Sequence, residues 1–577
     1  MMEQLVETKD YAFRRVCTDR FVSAIVYSVG LQYFFMAIFL LFVNFNILHP
    51  ISWIAGSIRL VLSLYTWFIA ICLAAAVVVH GVVLTKPYLR EERYHPKQVS
   101  RLYSNLLQRS MSLASSGAIG CLTAWLYTRF LRDDYRVLFL TTEDQPPVLN
   151  ERFLYLVVCG LFCGCYCFFK THANPIAIEF RIVLLRKVVQ FRNSFRRIFP
   201  ESLRRSIAVS LMFISFYFIF SLLCRYKVAA LLGGVRLQEE SFIYNFYNIA
   251  TDGRLLLYSW LLTSMILSNM NLMHVLFRIF LTEPCEFGIA EQVANEPLLA
   301  DALAYKKIPL VGKLAVEDLF FIADSENTPG NRRQLLYQLT NPGGHPKNWR
   351  KLCDACVQLI RAFTHELDLS IDGLEHKQPP PIEIIGGTLR STSSMDQERF
   401  LRRQYNQTFG VRSLSTPSFT KSSDNLSLSG ATSEKKLTFG ITSLDLHRIP
   451  GYAYLFEESN TAKSYYLLAM QSPSITKIIH SLAAIACRSL HEDMYGVVQN
   501  DLPGIIQSFL ELKKVVDKFG SKNIDVRKID RDYFALKAAV KKGLYRLCAA
   551  FEPYINDLLL DPKDLEALQP FLSLHEI

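Results

Sequence analysis

Charge is what the first half of this chain withholds. Six long apolar stretches, about Phe21 to Val43, Leu60 to Leu84, Met111 to Thr128, Phe153 to Phe169, Ser206 to Cys224 and Leu255 to Leu281, contain no Asp, Glu or Lys, and carry only His80, His274 and Arg278 as basic groups. Each is near or above the ~18 apolar residues that mark a spanning helix. Ion-coupled transporters, proton relays and voltage sensors need buried ionisable groups, so this shortage argues against all three. Cysteine is missing from the first, third and fifth connections, although the chain has 13. Sizeable oxidised domains place cysteine pairs in such loops, so these read as short connectors and not as a functional face. Walker, nucleophile-elbow, dinucleotide and His-Glu-x-x-His patterns are also missing, which argues against an enzyme. The first twenty residues are charged throughout and the first apolar run is too long for a signal core, so that run reads as its own insertion signal.

Basic residues set the expected orientation. Lys9, Arg14, Arg15 and Arg20 precede the first run, Lys86 to Arg109 fill the second connection, and Lys170 to Arg205 fill the fourth. The first, third and fifth connections are poorer in net positive charge, so the positive-inside rule places the N-terminus, two loops and the long C-terminal region in the cytosol. The fold class expected is all-α, a six-span helical membrane domain followed by a cytosolic helical domain that a disordered linker interrupts. Its bounds are a cytosolic N-terminus over 1–20, the membrane domain over 21–281, a helical segment over 282–375, the linker over 376–447 and a C-terminal helical block over 448–577.

The fourth connection reads as a basic amphipathic helix over about 175–199. Phe180, Leu184, Phe191 and Phe195 recur at helical spacing with Arg181, Arg192, Arg196 and Arg197 between them, and Pro200 is the expected stop. Such a helix suits the headgroup plane of an anionic membrane, or alternatively the surface of the soluble domain. The net charge of +11 fits an anionic surface, and no nucleic-acid motif accompanies it.

In the tail, Leu352, Cys356, Leu359, Ile360, Phe363 and Leu367 form one stripe. Ile475 to Ile485, Ile505 to Phe519 and Ile529 to Phe551 form three more, with Gly520 and Pro553 as stops. These predict a helical bundle in which the linker is an insertion. The linker holds Pro379-Pro380-Pro381, then Ser and Thr with few aromatics, too little apolar surface to fold alone. Thr416-Pro417 there is a candidate phosphosite, and the sequons at Asn406 and Asn425 fall on the cytosolic side as chance matches.

Some residues invite sharper readings. Asn269, Asn271 and His274 on the last run either line a pathway or bond neighbouring helices. The pathway reading leads to a multispan endoplasmic reticulum carrier or membrane-embedded enzyme. Cys159, Cys163, Cys165 and Cys167 crowd one helix at a spacing that suits packing better than a tetrahedral metal site, and Cys353-x-x-Cys356 lies within a helix with no second pair. No metal or cofactor is expected. Gly117, Gly120, Gly160 and Gly164 allow close helix approach, within the chain or by self-association.

The string Leu339 to Trp349, Leu-Thr-Asn-Pro-Gly-Gly-His-Pro-Lys-Asn-Trp, follows six apolar runs and precedes an amphipathic helix. In this it resembles the transmembrane nucleoporins of the nuclear division cycle protein family, over essentially the whole chain. The resemblance carries family membership to Pro342, Gly343, Gly344, His345, Pro346, Asn348 and Trp349. Physically these make a tight turn with Trp349 as an anchor, or alternatively a partner-docking loop. The resemblance implies an integral anchor of the nuclear pore complex in the nuclear envelope, whose cytosolic tail binds soluble nucleoporins and supports pore assembly. It also implies the partners, namely the WD-repeat nucleoporin aladin and the inner-ring nucleoporins with an RRM-like domain.

Overall fold

The computed structural model describes residues 2–45, 48–89, 106–142, 145–173, 178, 180, 185–231, 242–290, 297–325, 332–339, 344–375, 462–521, 530–558 and 561–573. The chain divides into two units, Met1–Ile371 with Glu458–Ile577, and Asp372–Glu457. The described structure lies almost wholly in the first. The predicted linker, with Thr416, Pro417 and both sequons, lies outside the described residues, as do Arg181, Leu184, Pro342 and Gly343.

The fold is all-α. The membrane half comprises α1 (Met2–Val43), α2 (Pro50–Val61), α3 (Leu64–Leu89), α4 (Leu106–Thr128), the single turn α5 (Asp133–Arg136), α6 (Glu151–Ala173), α7 (Lys187–Leu231), α8 (Phe242–Thr251) and α9 (Gly253–Leu281). A short antiparallel hairpin, Phe139–Thr142 with Gln145–Leu149, sits between α5 and α6. Five of these helices, in α1, α3, α6, α7 and α9, are long and apolar enough to cross a membrane. The third expected run lies in α4, which is 23 residues long but carries Gln108, Arg109 and four serines.

α9 is the central helix, packed by α1, α6 and α7, with 78% of its most apolar window buried against 28% for α7. Both of its ends are capped from outside. Asp252 accepts from the backbone N–H groups of Arg254 and Leu255 at 3.1 and 3.2 Å. At the other end the buried Arg20 guanidinium of α1 donates to the carbonyls of Leu281 and Glu283 at 3.1 and 2.6 Å. Helix ends leave such groups unsatisfied, and inside a bundle they need partners.

Three expected boundaries are corrected. Helix α1 runs unbroken from Met2, because Phe13, Cys17, Phe21 and Ala24 continue one buried stripe through the charged segment. The second run does not begin at Leu60: α2 ends at Val61, and Ser63 starts α3 by accepting from the Thr66 N–H at 3.2 Å. Pro200 stops nothing, since α7 passes through it from Lys187 to Leu231. Proline removes one backbone donor, and flanking turns tolerate that when packing holds both sides.

The tail continues with α10 (Leu299–Ala304), α11 (Pro309–Asp324), α12 (Gln334–Tyr337), α13 (Lys347–Glu375), α14 (Ala462–Glu492), α15 (Leu502–Ser521), α16 (Asp530–Phe551), a 3-10 turn (Glu552–Asp557) and α17 (Pro562–Leu572). The four stripes read from the sequence lie in α13 to α16 and are buried at Leu352, Ile360, Ile479, Phe509, Leu536 and Leu544 among others. Ile529 lies outside the described residues.

Candidate functional site

The turn before α13 is built around backbone constraints. Gly344 has φ +63°, a left-handed conformation that glycine adopts without cost. His345 accepts from the Lys347 N–H at 2.9 Å, and Pro346 accepts from the Arg350 N–H at 3.0 Å, which launches the helix. Asn348 donates to the Leu335 carbonyl at 3.2 Å and so ties the turn to α12. Trp349 is fully buried; its indole N–H donates to Asp501 Oδ2 at 2.9 Å, and its ring lies 6.3 Å from that of Tyr337. Tyr337 in turn donates to the Ile485 carbonyl in α14 at 2.9 Å. The described part of the string therefore joins α12, α13, α14 and the start of α15. Burial pushes the Asp501 carboxyl up, and the Trp349 N–H works against that shift.

A layer of ion pairs that single-sequence reading did not find locks the same region. Arg333, 0% exposed, holds Glu492 through two bonds of 2.6 Å and caps α11 by donating to the Ile322 and Ser325 carbonyls at 3.1 and 2.9 Å. Arg332 grips Asp318 at 2.6 and 2.9 Å and the Phe287 carbonyl at 2.5 Å. Lys477 pairs with Glu317. These partners are up to 160 positions apart, so no local pattern announces them. Cys353 and Cys356 are core residues, and burial pushes the Cys356 thiol up to about 12, which leaves it a protonated packing group.

Between α11, α14 and α16 lies a groove of about 650 Å3. Its lining is basic on balance, with His480, Arg488, Lys542 and Arg546 against Asp324, and includes the apolar Phe320, Ala484 and Ala549. Burial first, then the charges of Lys542 and Arg546, hold the His480 imidazole below its ordinary value. Charge density of this kind suits an acidic, partly apolar segment.

The basic stretch from Lys187 onward forms the first turns of α7, and most of the expected helix before it, 174–177, 179 and 181–184, lies outside the described residues. Phe180 lies outside any helix. Phe195 stacks on Phe199 at 5.2 Å, and Phe199 stacks on Phe35 of α1 at 5.9 Å, while Phe191 packs on the same core. Arg192, Arg196 and Arg197 face outward, exposed. The phenylalanines of this stretch are thus spent on the bundle, while Val188 and the three arginines stay exposed.

Within the bundle the polar cluster is paired. Asn269 donates to Gln32 at 2.5 Å, Asn271 donates to Ser202 at 2.9 Å and accepts from Lys170 at 3.0 Å, and the His274 ring meets Tyr88 and Thr171 at 3.1 and 3.2 Å. The cavity beside Gln32, His80 and Asn269 is about 20 Å3, room for about one water and too small for a pathway. Cys159 and Cys163 sit against Thr263 at 3.4 and 3.5 Å. Gly120, Gly160 and Gly164 are consumed by the contact between α4 and α6, where a β-carbon on Gly120 would run into the Gly160 carbonyl. The glycine pattern therefore serves packing within the chain.

Comparison with known proteins gives a consistent result. The family model described as Nucleoporin protein Ndc1-Nup matches residues 15–569. The chain is 34% identical to Nucleoporin Ndc1 of Drosophila melanogaster over 573 residues, which cover 97% of this chain and 98% of that protein. It is 24% identical to Nucleoporin NDC1 of Danio rerio, over 98% of both chains, and 22% identical to Nucleoporin NDC1 of Homo sapiens, over 97% of both.

Proposed function

The chain belongs to the Ndc1-Nup nucleoporin family, a structural component of the nuclear pore membrane and not an enzyme, and from that premise we propose that it anchors the pore complex in the nuclear envelope and recruits soluble nucleoporins through its helical tail. The observation that carries the recruiting step is the basic groove between α11, α14 and α16, presented on a core that the Trp349 turn and the Arg333 pair hold rigid. Its occupant is an acidic segment of a soluble nucleoporin, with aladin-type WD-repeat and inner-ring RRM-like nucleoporins as the partners that the resemblance implies. In this reading the chain crosses the envelope six times, α4 included, with both termini on the cytosolic and pore side. The exposed Arg192, Arg196 and Arg197 rest on anionic headgroups.

The test is a full-length chain carrying Lys542→Glu and Arg546→Glu in cells that lack the wild type, imaged by super-resolution beside a pore scaffold marker. The expected result is a variant that stays at pores while co-purification of soluble nucleoporins falls at least about tenfold, as loss of paired charges at an interface does. Unchanged co-purification removes the groove from the proposal, and a smooth reticular signal for the wild-type chain removes the anchor. Trp349→Ala is the companion variant: emptying that site costs about 3–5 kcal/mol, so melting of the purified chain shifts downward and recruitment fails with it.

A further inference from the structure

The connection between the first two expected runs is not a passive link. Helix α2 packs on the end of α1 through one side: Trp53 donates to the Leu41 carbonyl at 2.8 Å and its ring meets Phe45 edge-on at 4.9 Å, while Ser57 is buried and Leu60 partly so. The remaining surface splits into two exposed sectors. Ile51, Ile54, Ile58 and Leu62, at i, i+3, i+7 and i+11, form an apolar stripe that no part of the described protein covers, with Ile51 84% and Leu62 64% exposed. Ser52, Gly56 and Arg59 form a polar stripe about a third of a turn away, from the 100° per residue of an α-helix.

We propose that α2 lies in the plane of the bilayer interface, at the face of the membrane opposite the N-terminal end of α1, with the isoleucine stripe among acyl chains and Arg59 among headgroups. The occupant is lipid because the stripe runs directly into surfaces that face lipid if α1 and α3 cross the membrane: Phe42 at the end of α1, and Leu64, Trp67 and Phe68 at the start of α3, are all exposed. The sharp break at Leu62 and Ser63 is what turns the chain from the interface into the span. Thr66 supports it by donating to the Leu60 carbonyl at 2.6 Å, which also accepts from the Ser63 N–H at 3.1 Å, so one carbonyl at the end of α2 holds both sides of the break. A helix with adjacent apolar and polar sectors, the latter ending in Arg59, and one flank pinned to a span has the layout of an interfacial element. It wedges one leaflet only, which is the geometry that favours a curved bilayer over a flat one. This requires that α1 and α3 cross a bilayer, and it is independent of nucleoporin recruitment.

The experiment places a photo-reactive benzoylphenylalanine at Ile51, Ile54 or Ile58, and separately at Ser52, Gly56 or Arg59, in the full chain reconstituted in phosphatidylcholine and phosphatidylserine vesicles with tritiated acyl chains. Gly56 has open space around it, so the probe is tolerated there. Ile71, exposed in the middle of α3, is the control for crossing. The expected result is lipid adduct at the isoleucine positions at least about fivefold above the polar positions, as an in-plane helix requires. Equal labelling of both sectors overturns the proposal, because the helix is then immersed all round. So does labelling at Ile71 with none at the isoleucines, adducts to a second copy of the chain, or no lipid adduct at Ile71.

Discussion

Both halves bury large aromatics, Phe39 and Phe213 in the membrane bundle and Trp349 and Phe509 in the tail, but where α4 meets α6 in the bundle Gly120 faces Gly160 and Gly164 faces Ser116 so closely that a β-carbon has nowhere to go. The solvents explain the contrast. Lipid is as apolar as leucine and gives helices no hydrophobic reason to associate, so the bundle relies on close backbone fit and on neutral polar pairs such as Gln32 with Asn269. Water drives the tail together through large apolar areas, and there the structure also keeps fully charged pairs, Arg333 with Glu492 and Arg332 with Asp318. Each half uses the device that its surroundings reward.

Four substitutions sharpen or break that comparison. The largest effect is expected from Glu492→Ala, which leaves the buried Arg333 guanidinium uncompensated at a cost of about 3–5 kcal/mol. Hydrogen exchange over α14 and α11 should accelerate while the membrane helices stay protected; acceleration in both halves would show that the two regions unfold as one. Gly120→Ala comes next, at about 1–3 kcal/mol for an overpacked site, and should loosen α4 from α6 with the tail unchanged, as read by protease accessibility in vesicles. Asn269→Leu removes one interhelical amide bond worth about 1 kcal/mol and should lower the melting temperature slightly without affecting pore localisation. The smallest effect is a pH slope. His480 is held below its ordinary value of 6.5 in the folded tail, so between 6.5 and that lowered value the unfolded chain binds the proton first. Tail stability should therefore be full above 6.5, fall as the pH drops through that window and then level off. His480→Gln should flatten the slope, and an unchanged slope would assign it to other groups.

The helical stripes of α13 to α16 were legible because each is a local pattern, apolar every three or four residues, that one sequence displays whole. The apolar runs were legible for the same reason. Trp349 as an anchor could be read from its place after a Gly-Gly-His-Pro turn. Its partner Asp501 could not, since it lies 152 positions away and nothing nearby marks it. The Arg333 and Glu492 pair, 159 positions apart, was hidden in the same way. The passage of α7 through Pro200 ran against local propensity, and packing on either side overrode it. The early start of α1 was there to be found: Phe13, Cys17 and Phe21 are spaced by four, but charges between them mask the stripe.

Arg20 gives the bundle a direction in time. The residues whose carbonyls it holds, Leu281 and Glu283, leave the ribosome some 260 residues after Arg20 itself, when every other membrane helix has already been made. Until then the guanidinium lacks the carbonyls that it holds in the folded chain and is best served by water or headgroups beside the first helix. The arrival of the last helix's end is therefore a latch: it draws the first helix onto the last, closes the bundle around α9, and only then fixes the point from which the tail departs.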